Sequence, residues 1–189
     1  MGKQKRRGGY TLEDVVLEKF VNGGQALGYV DGKPVFVYGA LPGEKVDLLV
    51  TKQRRGVIEG VATNIKLKSK SRVEPENEYE YLSTSPWQIL NWDYENDTKL
   101  NLLKQTFQHE AGIDLDEIEM AKPTKQYGYR NKMEYNFWGD EDGLHLALHK
   151  RGSGQKIMLE GSVLASEAIN KAGEELILKL NDNKIFGGD

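Results

Sequence analysis

Four turn signals constrain the first third of this chain more than anything else in it. Asn22-Gly23-Gly24, Asp31-Gly32, Leu41-Pro42-Gly43 and Arg54-Arg55-Gly56 fall in quick succession between residues 15 and 65. Such spacing leaves room only for short strands. Residues 15–21, 26–30, 33–37, 46–52 and 57–65 are the strands predicted between them. Asp-Gly is among the strongest two-residue hairpin signals, because both positions tolerate positive φ. Val35 and Val37 would share one face of their strand. Five short strands joined by glycine turns read as a small barrel of the oligonucleotide-binding type, an all-β unit.

The pattern then changes. Residues 66–75 are polar and basic, end in Pro75, and have the composition of a linker. Residues 96–111 carry Leu100, Leu103, Phe107 and Ala111 at helical spacing, with Gly112 as a stop. Residues 118–120 form a candidate short strand. Residues 132–138, 144–149 and 155–159 read as further strands, with turns at Glu141-Asp142-Gly143 and Arg151-Gly152-Ser153-Gly154 between them. Residues 166–180 read as a final helix with Ile169, Ala172, Leu176 and Leu180 on one stripe. The expected organisation is a basic disordered tail at 1–9, an all-β OB-like five-stranded barrel at 10–68, and an α+β domain at 69–189.

Charge follows the same division. Residues 1–72 hold 14 Lys/Arg against 7 Asp/Glu, and residues 73–189 hold 12 against 22. A basic half beside an acidic half suggests two modules with different partners. The chain has no cysteine, which excludes disulfides, thiolate zinc sites and thiolate-held clusters. No apolar run approaches the ~18 residues that a membrane-crossing helix needs, and the basic N-terminus has no apolar run behind it. A cytoplasmic monomer with no membrane partner is the expectation. His145 and His149 would stand ~13 Å apart along a strand, too far to share one ion, so no metal site is expected. There is no GxSxG nucleophile elbow, and Gly152-Ser153-Gly154-Gln155 lacks the Lys-Ser/Thr of a phosphate loop.

What remains is cationic and aromatic. Lys52, Arg54 and Arg55 would crowd one hairpin tip, where like charges repel unless a polyanion meets them. A plain solvated loop is the competing reading. Tyr127–Trp138 combines rings with Arg130, Asn131 and Lys132. Met133, Tyr135 and Phe137 would point inward from a strand. Tyr129, Arg130, Asn131 and Lys132 would stand at its entry, where Arg can hold phosphate or stack and Asn can read a base edge. An internal ion pair for Arg130 with packed tyrosines accounts for these residues equally well. Lys150 and Arg151 complete the set of candidate RNA contacts.

The stretch from Val21 to Gly60, with Gly39-Ala40-Leu41-Pro42-Gly43-Glu44 at its centre, resembles a TRAM domain, a small RNA-binding barrel. Residues 72–75 (RVEP), 86–90 (PWQIL), 99–107 (KLNLLKQTF) and 127–135 (YGYRNKMEY) follow in the order found in RNA (uracil-5-)methyltransferases that act on ribosomal and transfer RNA. The resemblance implies RNA as partner and S-adenosylmethionine as methyl donor of a full-length enzyme. It departs in two places. The family's iron–sulfur cysteines would fall near Glu76, Leu82, Ser85 and Ser162, so no cluster is expected. Packing of Tyr79, Tyr81, Trp87 and Trp92 would have to replace its ordering effect. The family's methyl-donor domain would begin about where this sequence stops, and its nucleophilic cysteine has no counterpart here.

The resemblance therefore implies the RNA-recognition portion of a uracil-5 methyltransferase, with no catalytic residue, no cofactor of its own, and no methyl transfer by the chain alone. A stand-alone RNA-binding adaptor and a protein–protein module whose acidic half meets a basic partner are the alternatives.

Overall fold

The computed structural model describes residues 9–115, 117–121, 123–153 and 155–185. The expected disordered tail, apart from Gly9, lies outside them. Strands β1 (Thr11–Val21), β2 (Gln25–Val30), β3 (Lys33–Tyr38), β4 (Lys45–Arg54) and β5 (Val57–Leu67) close into a barrel in the order β1-β2-β3-β5-β4. Neighbours are antiparallel except β3 and β5, which pair in parallel from Val35↔Ile58 to Tyr38↔Val61. Alternation aims Val15, Leu17, Ala26, Val35, Val37, Val46, Leu48, Val50 and Ile58 into one buried core. Full burial of each Val or Leu there is worth ~1.5–3 kcal/mol. Asp31 and Gly32 both take positive φ, 50° and 73°, as a twisted two-residue hairpin requires.

Beyond the barrel, a short helix α1 (Tyr81–Thr84) and a 3-10 turn (Pro86–Ile89) lead into the long helix α2 (Trp92–Ala111). Asn91 caps α2, its side chain accepting from the Asp93 N–H at 3.1 Å, and Gly112 ends it at φ 65°. Strands β6 (Asn136–Asp140), β7 (Gly143–His149) and β8 (Lys156–Leu159) form an antiparallel meander, and α3 (Glu167–Asp182) packs on β7. The architecture is thus a closed five-stranded barrel followed by a region of helices and a second sheet.

Several sequence expectations need correction. The predicted linker is tied down: Arg72 bridges to Leu90, the Val73 N–H donates to the Ile89 carbonyl at 2.9 Å, and the Asn91 N–H to Ser71 at 2.9 Å. Residues 118–120 form no strand, having no neighbouring strand to pair with; the Ile118 N–H turns back to the Leu115 carbonyl. The strand predicted from residue 132 begins only at Asn136, because Arg130 is engaged elsewhere, in a bridge to Ala165. Phe137 is consequently no core residue but 45% exposed, on the edge strand of a three-stranded sheet.

Each helical stripe holds only in part: Leu100 on α2 and Ile169 and Leu180 on α3 are half-buried, but the rest of each stripe faces outward. Leu103 and Phe107 face outward at 40% and 41% exposure, and Ala111 is exposed. The side of α2 that meets the end of β1 carries Leu102 and Thr106, whose hydroxyl accepts from Asn22 at 3.2 Å. On α3, Ala172 and Leu176 are exposed, whereas Ile169, Asn170, Gly173, Ile177, Leu180 and Asn181 are half-buried. Two asparagines select that face. Asn181 accepts from the Leu144 N–H at 2.8 Å and donates to the Leu144 carbonyl at 3.0 Å; Asn170 does the same for Ser162, at 3.0 Å each way. They stand about three turns apart, so they lie on one face. Gly173, between them, allows the close approach: a Cβ there would stand 2.9 Å from Leu146 Cδ1.

Candidate nucleic-acid interface

The β4–β5 hairpin turns through Arg55 and Gly56, at φ 51° and 83°. A glycine or asparagine would sit at the first of these without strain, whereas an arginine there costs roughly 1–2 kcal/mol. Arg54 and Arg55 are exposed, and their side chains have no hydrogen-bond or ion-pair partner among the described residues. Lys52 differs: its ammonium donates to Glu59 at 2.8 Å across the ribbon, which leaves it partly neutralised.

The loop carrying Lys150 and Arg151 lies beside this ribbon. A Cβ on Gly152 would stand 2.6 Å from Val61 Cγ2 and 4.0 Å from Thr51 Oγ1. Thr51 is three residues, ~10 Å of strand, from Arg54. Lys150 is exposed, and its backbone N–H donates to Gln155 at 2.8 Å. Arg151 is half-buried: its Nε donates to the Leu82 carbonyl at 3.0 Å, and its guanidinium lies 5.6 Å from the centre of the Tyr38 ring. It staples barrel, α1 and second sheet together while keeping its charge.

The second group also reaches α1. Arg130 Nη2 makes a long 3.5 Å hydrogen bond to the Thr84 carbonyl, so its partner is a backbone oxygen rather than an internal carboxylate. Tyr129 is 53% exposed, and Asn131 is exposed. Lys132 pairs with Glu134 at 2.7 Å in open solvent; the pair raises the lysine pKa and lowers that of the glutamate. The candidate residues therefore form two clusters, Lys52/Arg54/Arg55/Lys150/Arg151 and Tyr129/Arg130/Asn131/Lys132. They are joined through α1, whose carbonyls receive one arginine from each.

Two features escaped the sequence. Beside Tyr129 is a cavity of about 540 Å³ between the start of α2 and residues 123–129. The second is a buried carboxyl, Glu80, which accepts from the Val163 N–H at 2.9 Å and the Ser162 hydroxyl at 3.4 Å. Burial pushes this carboxyl above the usual range, and its two donors only partly pull it back. The Ser162 hydroxyl thus engages a carboxyl 82 residues earlier in the chain. Of the aromatics expected to order that region, Trp87 packs on Phe20 with ring centres 5.2 Å apart, and Tyr81 joins Leu41, Ile89 and Leu90. Trp92 is half-buried, whereas Tyr79, at 60% exposure, contributes little. No group of three or more His, Asp or Glu that could hold a metal ion occurs among the described residues, and no helix among them is long and apolar enough to cross a membrane.

The TRAM domain family model matches residues 11–63, which form the closed barrel. A second model, described as tRNA (Uracil-5-)-methyltransferase, matches residues 92–187, half of the chain. The chain belongs to the tRNA (uracil-5-)-methyltransferase family.

Similar proteins include an uncharacterized RNA methyltransferase of Caldanaerobacter subterraneus, 31% identical over 73% of this chain and 31% of the relative. Another is the 23S rRNA (uracil(1939)-C(5))-methyltransferase RlmD of Vibrio campbellii, 29% identical over 81% of this chain and 35% of the relative. The crystal structure of the Pyrococcus abyssi tRNA (uracil-54, C5)-methyltransferase in complex with S-adenosyl-L-homocysteine shares the fold, with a TM-score of 0.54 and 18% identity over 90% of this chain and 37% of that one. The chain spans about a third of the length of the curated relatives it matches.

Proposed function

We propose that these residues are the RNA-gripping part of an S-adenosylmethionine-dependent RNA (uracil-5-)methyltransferase, which holds rRNA or tRNA and positions a uridine for chemistry performed elsewhere. The observation that carries this reading is the pair of arginines, their side chains unpartnered among the described residues, on a strained turn at the tip of a TRAM barrel. A folded chain that holds Arg55 in a left-handed conformation keeps two like charges adjacent where asparagine and glycine would be cheaper. A polyanion offsets that cost, since each phosphate contact releases a condensed counterion.

In this reading the barrel tip and the Lys150–Arg151 loop track the RNA backbone, while Arg130 and Asn131 contact it beside α1. The boundary between an RNA-binding barrel at 10–68 and a central RNA-binding domain at 69–189 is part of the proposal, as are a monomeric state and a cytoplasmic location.

The residues present do not fit S-adenosylmethionine. Among the described residues no strand runs into a glycine-rich turn that opens a helix. After β8 the space in front of Gly161 is filled by Asn170, whose Oδ1 a Cβ would meet at 2.8 Å. No step of methyl transfer is assigned to them, and a cysteine-free chain offers no thiolate to add to a uracil ring.

The test is a fluorescence anisotropy titration with hairpin and single-stranded RNA, with polyglutamate as a competing polyanion. Binding to RNA that polyglutamate does not displace at equal charge supports the proposal. Failure to bind RNA in dilute buffer refutes it.

A further inference from the structure

Trp138 belongs to neither cluster, yet it stands on the face of the second sheet opposite α3. The helix meets the Leu146 side of β7, where a Cβ on Gly173 would stand 2.9 Å from Leu146 Cδ1. Trp138 pairs with His145 and Met158 with Ala147, so both point to the other side. There Trp138 is 45% exposed and Met158 41%. An indole and a thioether left in water side by side mark a contact surface.

The charges on this face indicate what it contacts. Lys156 pairs with His149, and its ammonium reaches back along the face to lie 5.0 Å from the centre of the Trp138 ring. His149 leads directly into Lys150, exposed on the loop that lies beside the β4–β5 ribbon. Neither lysine has an ion-pair partner among the described residues. Asp140, on the same face as Trp138, is already held by His145 Nε2 at 2.9 Å. The surface therefore runs from a cationic loop to an exposed ring over four residues of β7, ~13 Å of strand, with its carboxylate taken. Cations without a counter-charge beside a free ring suit a polyanion that also carries flat apolar groups, which describes a single-stranded nucleic acid.

We propose that the open face of the β6–β7–β8 sheet carries a single-stranded RNA segment onward from the barrel tip, with one base stacked on Trp138 and adjoining phosphates on Lys156 and Lys150. The proposal rests on the reading of this chain as an RNA-binding unit. Every base has a π face, so a ring on an open sheet holds a single strand with little regard to sequence. The barrel-tip arginines supply charge on a turn; this face adds the stacking plane.

The experiment compares a short mixed-sequence single-stranded RNA with an abasic ribose-phosphate strand of the same length, by anisotropy, for the wild type, Trp138→Ala, Trp138→Phe and Lys156→Ala. Loss of one stacked base should weaken Trp138→Ala about tenfold on the base-bearing strand, with no weakening on the abasic one. Trp138→Phe keeps a ring and should recover most of that loss. Lys156→Ala should weaken both strands and flatten the log–log salt slope by about 0.7. If Trp138→Ala fails to fold, Trp138→Leu replaces it, keeping apolar bulk over the sheet without a π face. Wild-type affinity of the ringless variant for both strands, or equal weakening on both, overturns the stacking face and leaves RNA binding standing. Absence of RNA binding by the wild type overturns the reading beneath it as well.

Discussion

Arg72 grips Glu44 with two prongs, Nε on Oε1 and Nη2 on Oε2, both at 2.7 Å, inside the seam where the barrel meets the rest of the chain. The glutamate side chain is fully buried and the arginine 10% exposed. Glu44 also accepts from the Leu41 N–H at 2.8 Å and the Ser69 N–H at 3.0 Å, and Arg72 also donates to the Gly39 carbonyl at 3.0 Å. The Gly39–Glu44 turn and the segment after β5 are thereby fixed to one another.

Removing either partner leaves a buried charge unpaired, so Glu44→Ala should destabilise by about 3–5 kcal/mol. Urea unfolding measures this. A loss under 1 kcal/mol would mean that water already compensates the site.

The same pair sets an acid limit. Burial alone would raise the Glu44 carboxyl, but the Arg72 hydrogen bonds and the two backbone donors overrule it and hold the pKa below the usual range. A depressed folded value contributes stability above the unfolded pKa, about 4.3, and loses it as pH falls through the folded value. Wild-type stability should fall more steeply through that acid window than that of Glu44→Gln, followed by thermal midpoint against pH.

Glu80 should behave in the opposite sense. Its folded pKa is raised, and its Oε2 has no partner among the described residues. A raised value favours folding below the unfolded pKa and loses that contribution as pH rises through the folded value. Glu80→Gln should therefore exceed the wild type in stability by about 1–3 kcal/mol at alkaline pH and match it near pH 4. A variant less stable at every pH would show that the charged form is the one the fold needs.

Asn181 and Asn170 should each matter more than the apolar residues around them. Asn181→Ala strands the Leu144 N–H and carbonyl at the start of β7 and should cost about 2–3 kcal/mol. Hydrogen exchange in β7 and α3 should rise together. Leu176→Ala, on the exposed side of α3, should change stability by less than about 0.5 kcal/mol.

The barrel was legible because Asp31-Gly32 and Arg55-Gly56 fix hairpin registers locally. That register even places Lys52 opposite Glu59, a pairing that lowers the value of Lys52 as a phosphate contact. Glu44–Arg72 and Asn170–Ser162 were not legible, since each joins residues whose proximity exists only after the chain has folded. On α2 and α3 only part of the predicted stripe is buried, because spacing shows that apolar residues share a side but not where the neighbouring sheet lies; on α3 Ile169 and Leu180 are half-buried, whereas a glycine and two asparagines outcompete Ala172 and Leu176. The stretch around Tyr129 stands out in the sequence for its mixture of rings and charges, but the cavity beside it depends on α2 and Gln88, from a distant part of the sequence.

The most direct test of the central claim is the salt dependence of RNA affinity for the wild type and for the Arg54→Ala/Arg55→Ala double variant. If both arginines meet phosphate, the double variant binds more weakly across all RNA sequences, and its log–log salt slope flattens by about 1.4–1.8. An unchanged slope, with RNA still bound, would contradict the account of the barrel tip as the phosphate grip.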